Sequence, residues 1–395
     1  MEENKEAISM FATTKTTHTP AVSERIYLDN AATTPLDKEV LEAMMPYMET
    51  HFGNPSSIYS YGRETRLAIE NARKSVAKHL GAKPGEIFFT SGGTESDNTA
   101  IAASIRDLGC KHIITSPIEH HAVLHTVEYF DQAKEITVDY VALDDDGEIN
   151  YNDLEEKLKN QPSKTLVSLM HANNEIGTLL DLKRVGELCK QYNAIFHSDC
   201  VQTVGHYPLD LSSVHVHFIT GAGHKFHGPK GIGILYVNEE IKIKPYIFGG
   251  GQERNLRAGT ENVYGVIGFA KALEIAMRDY EKDSAYIREL KSYMMERLAA
   301  HIPGVNFTCS SNSLYTVLSV CFPKTDKSSM LLFSLDINNI CASGGSACSS
   351  GADAGSHVMK ALKKNDDWVT IRFSFSKYNN KEEIDRVVEK LKELV

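Results

Sequence analysis

The sequence predicts an α/β fold, with a large domain around a mainly parallel, seven-stranded sheet and a smaller α+β domain. Three observations support this fold class. Between about residues 37 and 280, seven short apolar segments alternate with helical stretches. Strands that alternate with helices form parallel sheets covered on both faces. The chain has 395 residues, which is more than one hydrophobic core normally holds, so two domains are expected.

The predicted strands are short and apolar, and they cover residues 87–89, 112–115, 138–143, 165–170, 194–197, 214–219 and 231–237. Helical stretches such as 63–80 and 182–192 lie between several of them. A long helical run over 266–298 leads to the second part of the chain. There, residues 369–375 alternate as a strand, and 384–395 have the spacing of an amphipathic closing helix.

We therefore predict a flexible tail over 1–23, a large domain over 37–279, and a small domain formed by 24–36 with 280–395.

The net charge of −10 argues against nucleic acid or an anionic membrane as the main partner. The longest apolar runs are strand-sized, so no membrane span is expected. The tail lacks the apolar core of a signal peptide. Seven cysteines without a Cys-x-x-Cys pair indicate a reducing, cytoplasmic location and buried thiols at 110, 189, 200, 309 and 321.

A lysine and an aspartate follow two of the predicted strands. Lys225 ends the run 220–225, and Asp199 follows the apolar segment at 194–197. Pyridoxal phosphate needs this pair, because a lysine holds its aldehyde as a Schiff base and a carboxylate keeps its pyridine nitrogen protonated. Taken alone, Lys225 is also compatible with a solvated loop lysine, and Asp199 with a turn-forming aspartate. Together they predict a pyridoxal phosphate site.

The segment 90–98 joins the first predicted strand to a helical stretch and contains Gly93 and Thr94. Glycine backbone, a hydroxyl and a helix N-terminus together favour phosphate. The segment has neither the dinucleotide-binding glycine pattern nor a P-loop. On its own it is also compatible with a tight turn before a capped helix.

Further candidate residues follow other predicted strands. His120 comes after the strand at 112–115, where an imidazole can stack on a cofactor ring and exchange protons. Asn174 lies in an amide-rich segment suited to hold a phenolic oxygen. Arg372 can clamp a carboxylate with two hydrogen bonds. The alternatives are a surface histidine and an exposed strand arginine. The other histidines lack partners at zinc-site spacing, so no metal site is expected.

Residues 344–355 form a loop of small residues that contains Cys348. Such a loop buries little apolar surface to offset its ordering entropy. The thiol is therefore interpreted as a reactive group on a mobile arm. The alternative is a flexible linker that contains an incidental cysteine.

With these segments in order, the chain resembles cysteine desulfurases of the NifS/IscS type, within the class-V aminotransferase group of fold type I pyridoxal phosphate enzymes. The matching segments are 27–35, 52–57, 90–98, 119–120, 173–177, 199–202, 224–225, 257–260, 346–348 and 371–374. The resemblance implies a homodimer that converts L-cysteine to L-alanine and leaves a persulfide on Cys348. The sulfur then passes to an acceptor protein such as an iron–sulfur scaffold.

The resemblance also implies a role for each matching residue. Lys225 carries the cofactor and removes the α-proton, and Asp199 pairs with the pyridine nitrogen. The other implied cofactor residues are Asn174 and Gln202 at the phenolic oxygen, His120 on the ring as a proton shuttle, Gly93, Thr94 and His224 at the phosphate, and Thr260 from a second subunit. Arg372 and Asn30 hold the substrate carboxylate.

The chain departs from the family pattern at Ala222, where a serine usually stands. One phosphate hydroxyl is therefore missing, and Thr220 is the neighbouring hydroxyl that could replace it. Two other functions fit the same sequence. One is a selenocysteine lyase or another class-V aminotransferase, and the other is a binding or regulatory protein that keeps the fold without turnover.

Overall fold

The computed structural model describes residues 25–308, 310, 312–325, 328–344, 356–364 and 368–395. The predicted tail 1–23, Cys309 and Cys348 lie outside these residues. The strands are β1 Ile26–Tyr27, β2 Ile87–Thr90, β3 His112–Thr115, β4 Thr137–Tyr140, β5 Thr165–Ser168, β6 Ile195–Asp199, β7 Phe218–Ala222, β8 Gly233–Val237, β9 Asn306–Thr308, β10 Val317–Pro323, β11 Ile340–Cys341 and β12 Trp368–Ser374. The helices are α1 Lys38–Glu49, α2 Ser60–His79, α3 Gly93–Arg106, α4 His121–Gln132, α5 Tyr151–Lys159, α6 Leu182–Gln191, the single turn α7 Gln252–Asn255, α8 Val263–Arg278, α9 Tyr280–His301, α10 Leu331–Ile337, α11 His357–Ala361 and α12 Lys381–Leu394.

The central sheet has seven strands in the order β2-β8-β7-β6-β5-β3-β4. Strands β7, β6, β5, β3 and β4 run parallel, and β8 pairs antiparallel with β7 and β2. All residues of β5, β6 and β7 are buried, as expected where helices cover both faces of a parallel sheet. The predicted fold class, an α/β fold with a mainly parallel seven-stranded sheet, is confirmed.

Two predicted elements were wrong in their bounds. The strand predicted at 214–219 is Phe218–Ala222, because pairing with β6 begins where His197 faces Phe218. The apolar residues before this strand still contribute to the hydrophobic core, since the side chain of Val216 is buried. The helical run predicted over 266–298 is two helices, which meet at Asp279. They turn there because α8 packs on α1 and α2, whereas α9 packs on α12.

The second sheet is antiparallel, in the order β12-β10-β9. Its apolar face, with Ile371 and Phe373, packs on α9 and α12 in a core of its own, and β1 pairs with β11 beside it. The domain boundaries at residues 37 and 280 stay a prediction. Within the part of the chain that the structure describes, no helix is both long and apolar enough to cross a membrane.

The segment that follows β1 leads from the second sheet to the carboxyl edge of the first. Leu28 N donates to Cys341 O at 2.9 Å, and Ala31 N donates to Ser374 Oγ at 2.8 Å. The carbonyl groups of Ala31 and Ala32 thereby reach the turn that follows β7. This segment is called the strap below, and it spans residues 28–36.

Candidate active site

A cavity of about 220 Å³ opens where β6 and β7 end, beside the N-terminus of α3. Most of the predicted site residues line it together, namely Gly93, Thr94, His120, Asn174, Asp199, Gln202, His224, Lys225 and Arg372. Asn30 and Thr260 do not line this cavity. Asn30 lies in the smaller cavity behind Lys225, and Thr260 is exposed. Cys348 lies outside the described residues.

Lys225 lies on the single 3₁₀ turn Gly223–Lys225, directly after β7. Its Nζ donates to the strap, at 2.6 Å from Ala31 O and 2.9 Å from Ala32 O. Its own carbonyl oxygen lies 3.0 Å from Nε2 of the half-buried His206. The turn and the ammonium group are therefore both held by neighbouring parts of the chain.

Asp199 is the last residue of β6 and is 6% exposed. One carboxylate oxygen accepts a hydrogen bond from Val201 N at 2.8 Å. Burial, and then the charge of Asp97, raise the pKa of Asp199 to about 7. A cation beside this carboxylate would offset both effects. A protonated pyridine nitrogen is such a cation, so the donor set at this end of the cavity fits the cofactor.

Another wall of the cavity begins at Gly93 and Thr94, in the first turn of the 14-residue helix α3. A Cβ on Gly93 would come within 2.7 Å of Val201 Cγ2, so this wall accepts only glycine without rearrangement. The free backbone N–H groups of the helix N-terminus suit a phosphate. His224 lines the same wall with Nδ1 3.2 Å from Thr33 Oγ1.

Ala222 also lines the cavity, and it leaves a methyl group where a hydroxyl was expected. Thr220 does not replace it among the described lining residues. Its Oγ1 lies 3.3 Å from His197 Nε2, inside the buried layer behind the cavity.

His120 is the N-cap of α4, and its Nδ1 accepts from Ala122 N at 3.1 Å. Burial, followed by the charge of Lys225, lowers the pKa of His120 to about 4. The imidazole is therefore neutral near pH 7. Since Nδ1 is an acceptor, the remaining proton is on Nε2, which makes His120 a donor at that nitrogen.

Arg372 is 2% exposed, so the alternative of an exposed strand arginine is excluded. Nη1 donates to Asn174 O at 2.9 Å, and Nη2 donates to Asp29 Oδ1 at 2.7 Å. Its Nε is buried and has no hydrogen-bond partner within the described part of the chain. The guanidinium is thus held at the edge of the cavity, and it still has N–H groups that can donate to a ligand.

The amide of Asn30 contacts the second sheet, and its role at the substrate carboxylate stays a prediction. Its Nδ2 donates to Ser374 O at 2.9 Å, while its Oδ1 is buried without a partner among the described residues. Gln202 donates to Ala31 O at 3.1 Å. Both amides therefore help to hold the strap.

Sequence reasoning missed Asp97 and Asp29. Asp97 is 1% exposed and lines the cavity, and Asp29 pairs with Arg372. The helical period could have revealed Asp97, because it lies three and four residues before the buried Ala100 and Ile101. Asp29 gives no such signal, since its contact joins residues 343 positions apart.

The chain matches the family model for class-V aminotransferases over residues 26–387. It is 43% identical over 384 residues to a cysteine desulfurase IscS of Dictyoglomus turgidum, which covers 94% of this chain and 96% of the relative. A solved NifS-like protein is 38% identical, with a TM-score of 0.86 over 94% of this chain and 99% of that one. A solved SspA in complex with cysteine is 32% identical, with a TM-score of 0.78 over 90% and 100% of the two chains. The chain therefore belongs to the class-V aminotransferases, within their NifS/IscS-type cysteine desulfurases, a family of pyridoxal phosphate enzymes.

Proposed function

We propose that this protein converts L-cysteine to L-alanine and receives the sulfur as a persulfide on Cys348. The observation that carries the proposal is the single cavity lined by Lys225, Asp199, His120 and Arg372. Its amine suits a cofactor aldehyde, and its buried acid suits a ring nitrogen. Its neutral imidazole suits a thiol, and its buried guanidinium suits a carboxylate.

Pyridoxal phosphate, when bound, withdraws electrons from the α-carbon of an attached amino acid. Lys225 would hold the cofactor, Asp199 its ring nitrogen, and Asn174 with Gln202 its phenolic oxygen. Gly93, Thr94 and His224 would hold the phosphate. The amine of Lys225 would remove the α-proton, and the carbonyl groups of Ala31 and Ala32 would then stabilise it as an ammonium ion.

The sulfur transfer forms a bond between Cys348 Sγ and the substrate sulfur and breaks the substrate bond between Cβ and sulfur. The electron pair of the broken bond stays with the substrate carbon, which is protonated to the methyl group of alanine. The substrate sulfur is oxidised to the persulfide level as this carbon is reduced, so no external oxidant is needed. The Nε2–H of neutral His120 can donate a hydrogen bond to the substrate sulfur. For His120 to act as the proton shuttle proposed here, Nδ1 would release Ala122 N and accept a proton, and Nε2 would then give up its own.

We further propose that the site is completed by a homodimer. Thr260 is exposed and is not among the described residues that line the cavity of its own chain, as expected if it serves the partner. Large apolar side chains are also exposed on α1, α2 and the segment near 248, among them Met48, Tyr61 and Phe248. A second copy would cover such a surface.

The persulfide would pass to an acceptor protein, such as an iron–sulfur scaffold. We place the protein in the cytoplasm, where reducing conditions preserve free thiols such as the buried Cys189 and Cys200.

The test is a first-turnover assay without reductant. The purified protein with bound cofactor is mixed with L-cysteine, and alanine is compared with the extra sulfur on each cysteine peptide by mass spectrometry. We expect equal amounts of alanine and of persulfide on Cys348, and no change in a Cys341→Ser control. Keto-acid formation would indicate an aminotransferase, and turnover of selenocysteine alone would indicate a lyase. Extra sulfur mainly on Cys341 or Cys321 would contradict the proposed acceptor.

A further inference from the structure

A buried acid that the proposed chemistry does not use lines the cofactor cavity. Asp97, on the second turn of α3, is 1% exposed and lines the same cavity as Asp199. One oxygen of each carboxyl group and a ring nitrogen of His120 all lie within 4.8 Å of one another. The two carboxyl groups thus lie close together in a buried part of the site.

Among the described residues, the polar groups next to Asp97 do not include a cation that is paired with its carboxylate. Oδ1 of Asp97 lies 3.3 Å from His197 Nε2, yet it makes no hydrogen bond among the described residues. The titratable groups that face this part of the site are Glu119, His120, His197, Asp199, Cys200 and Lys225. Burial lowers the pKa of His197 and His120 to about 4 and raises that of Cys200 to about 12. All three are therefore uncharged near pH 7, and Lys225 is the residue that would hold the cofactor.

Two adjacent carboxylates in such a buried place cannot both ionise easily, because each loses hydration and repels the other. Asp199 accepts a hydrogen bond from Val201 N, which favours its charged form. Asp97 accepts no backbone hydrogen bond among the described residues. The Thr220 hydroxyl favours its charged form, but burial outweighs this contact. The hydroxyl form of Asp97 can donate to the neighbouring imidazole. The proton therefore belongs on Asp97.

We propose that Asp97 is a positioning residue that carries a proton beside Asp199, so that the two acids together offer one negative charge to the cofactor ring nitrogen. The inference rests on the pyridoxal phosphate site of the proposed function. Asp97 thus limits the two acids to one negative charge and keeps that charge on Asp199. Its pKa, raised to about 8 mainly by burial, agrees with a proton that is held at pH 7 and lost above it.

The test compares the protein with bound cofactor and its Asp97→Asn variant, because asparagine has the shape of a protonated aspartate and no charge at any pH. We expect the variant to bind pyridoxal phosphate within about threefold of the natural affinity. The visible absorbance of the natural protein should show a titration step near pH 8 that the variant lacks. Asp107→Asn, the same change at the other end of α3, should keep that step.

A second measurement does not depend on turnover or on the visible absorbance of the cofactor. Infrared spectra at pH 7, with the aspartate carboxyl carbons isotopically labelled, should show one protonated aspartate, which labelling distinguishes from the buried Glu119. Loss of this band in Asp97→Asn would support the assignment. Persistence of the band in that variant, its absence from the natural protein, or an unchanged pH titration in the variant would each overturn it. A natural protein that binds no pyridoxal phosphate would instead refute the proposed function itself.

Discussion

Replacing Arg372 by lysine tests the substrate clamp, because it keeps the positive charge and removes the planar fork of donors. Arg372 already donates to Asn174 O and Asp29 Oδ1. A lysine ammonium has three N–H groups on one nitrogen and cannot reach both of these and two carboxylate oxygens. The variant should therefore lose one charge-assisted hydrogen bond to the substrate, about 1.5–3 kcal/mol. This corresponds to a cysteine affinity weakened by about 10- to 150-fold.

The assay is a titration of the bound cofactor's absorbance with L-cysteine and, separately, with cysteamine, which lacks the carboxylate. Arg372→Lys should weaken the response to cysteine and leave the response to cysteamine within about twofold. Arg278→Lys, at an exposed arginine paired with Glu39, serves as the matched control and should change neither. Equal weakening of both ligands, with the cofactor retained, would refute the clamp.

Cys348→Ser should keep the cofactor and bind cysteine, yet release alanine only at background level, because a hydroxyl attacks sulfur poorly; normal alanine release would contradict the mechanism. Thr260→Ala should weaken cofactor binding by about tenfold or more through a lost phosphate hydrogen bond. Mixing it with Lys225→Ala should restore one natural site per hybrid dimer, whereas an active monomer in sedimentation would exclude shared sites. Ala222→Ser should keep or tighten cofactor binding by about 1 kcal/mol at most, and a large loss would mean that the wall packs around the methyl group. Glu253→Gln should lower the free energy of unfolding by about 3–5 kcal/mol, measured with denaturant, since its bidentate partner Arg73 is buried; a change below about 1 kcal/mol would contradict this.

The sequence identified those site residues whose neighbours along the chain reveal them. Lys225 and Asp199 follow apolar strands, so their place at the sheet edge could be predicted from local pattern. The strand before Lys225 was misplaced by about four residues, since its register depends on pairing with β6 and β8 rather than on apolar content. The ion pair of Arg372 with Asp29 could not be predicted, because it forms only when the two sheets meet.

The strap places a condition on the order in which the protein can mature on the ribosome. All strands of the central sheet precede residue 238, and they can collapse as soon as they emerge. The strap is made earlier still, yet β1 pairs with Ile340 and Cys341, and Ala31 is held by Ser374. Gln202 and His224 can contact the strap once the central sheet has formed, but the contacts with β11 and Ser374 are missing until the last strand has been synthesised. The carbonyl groups that contact Lys225 are thus expected to be fully fixed only after nearly the whole chain has been made.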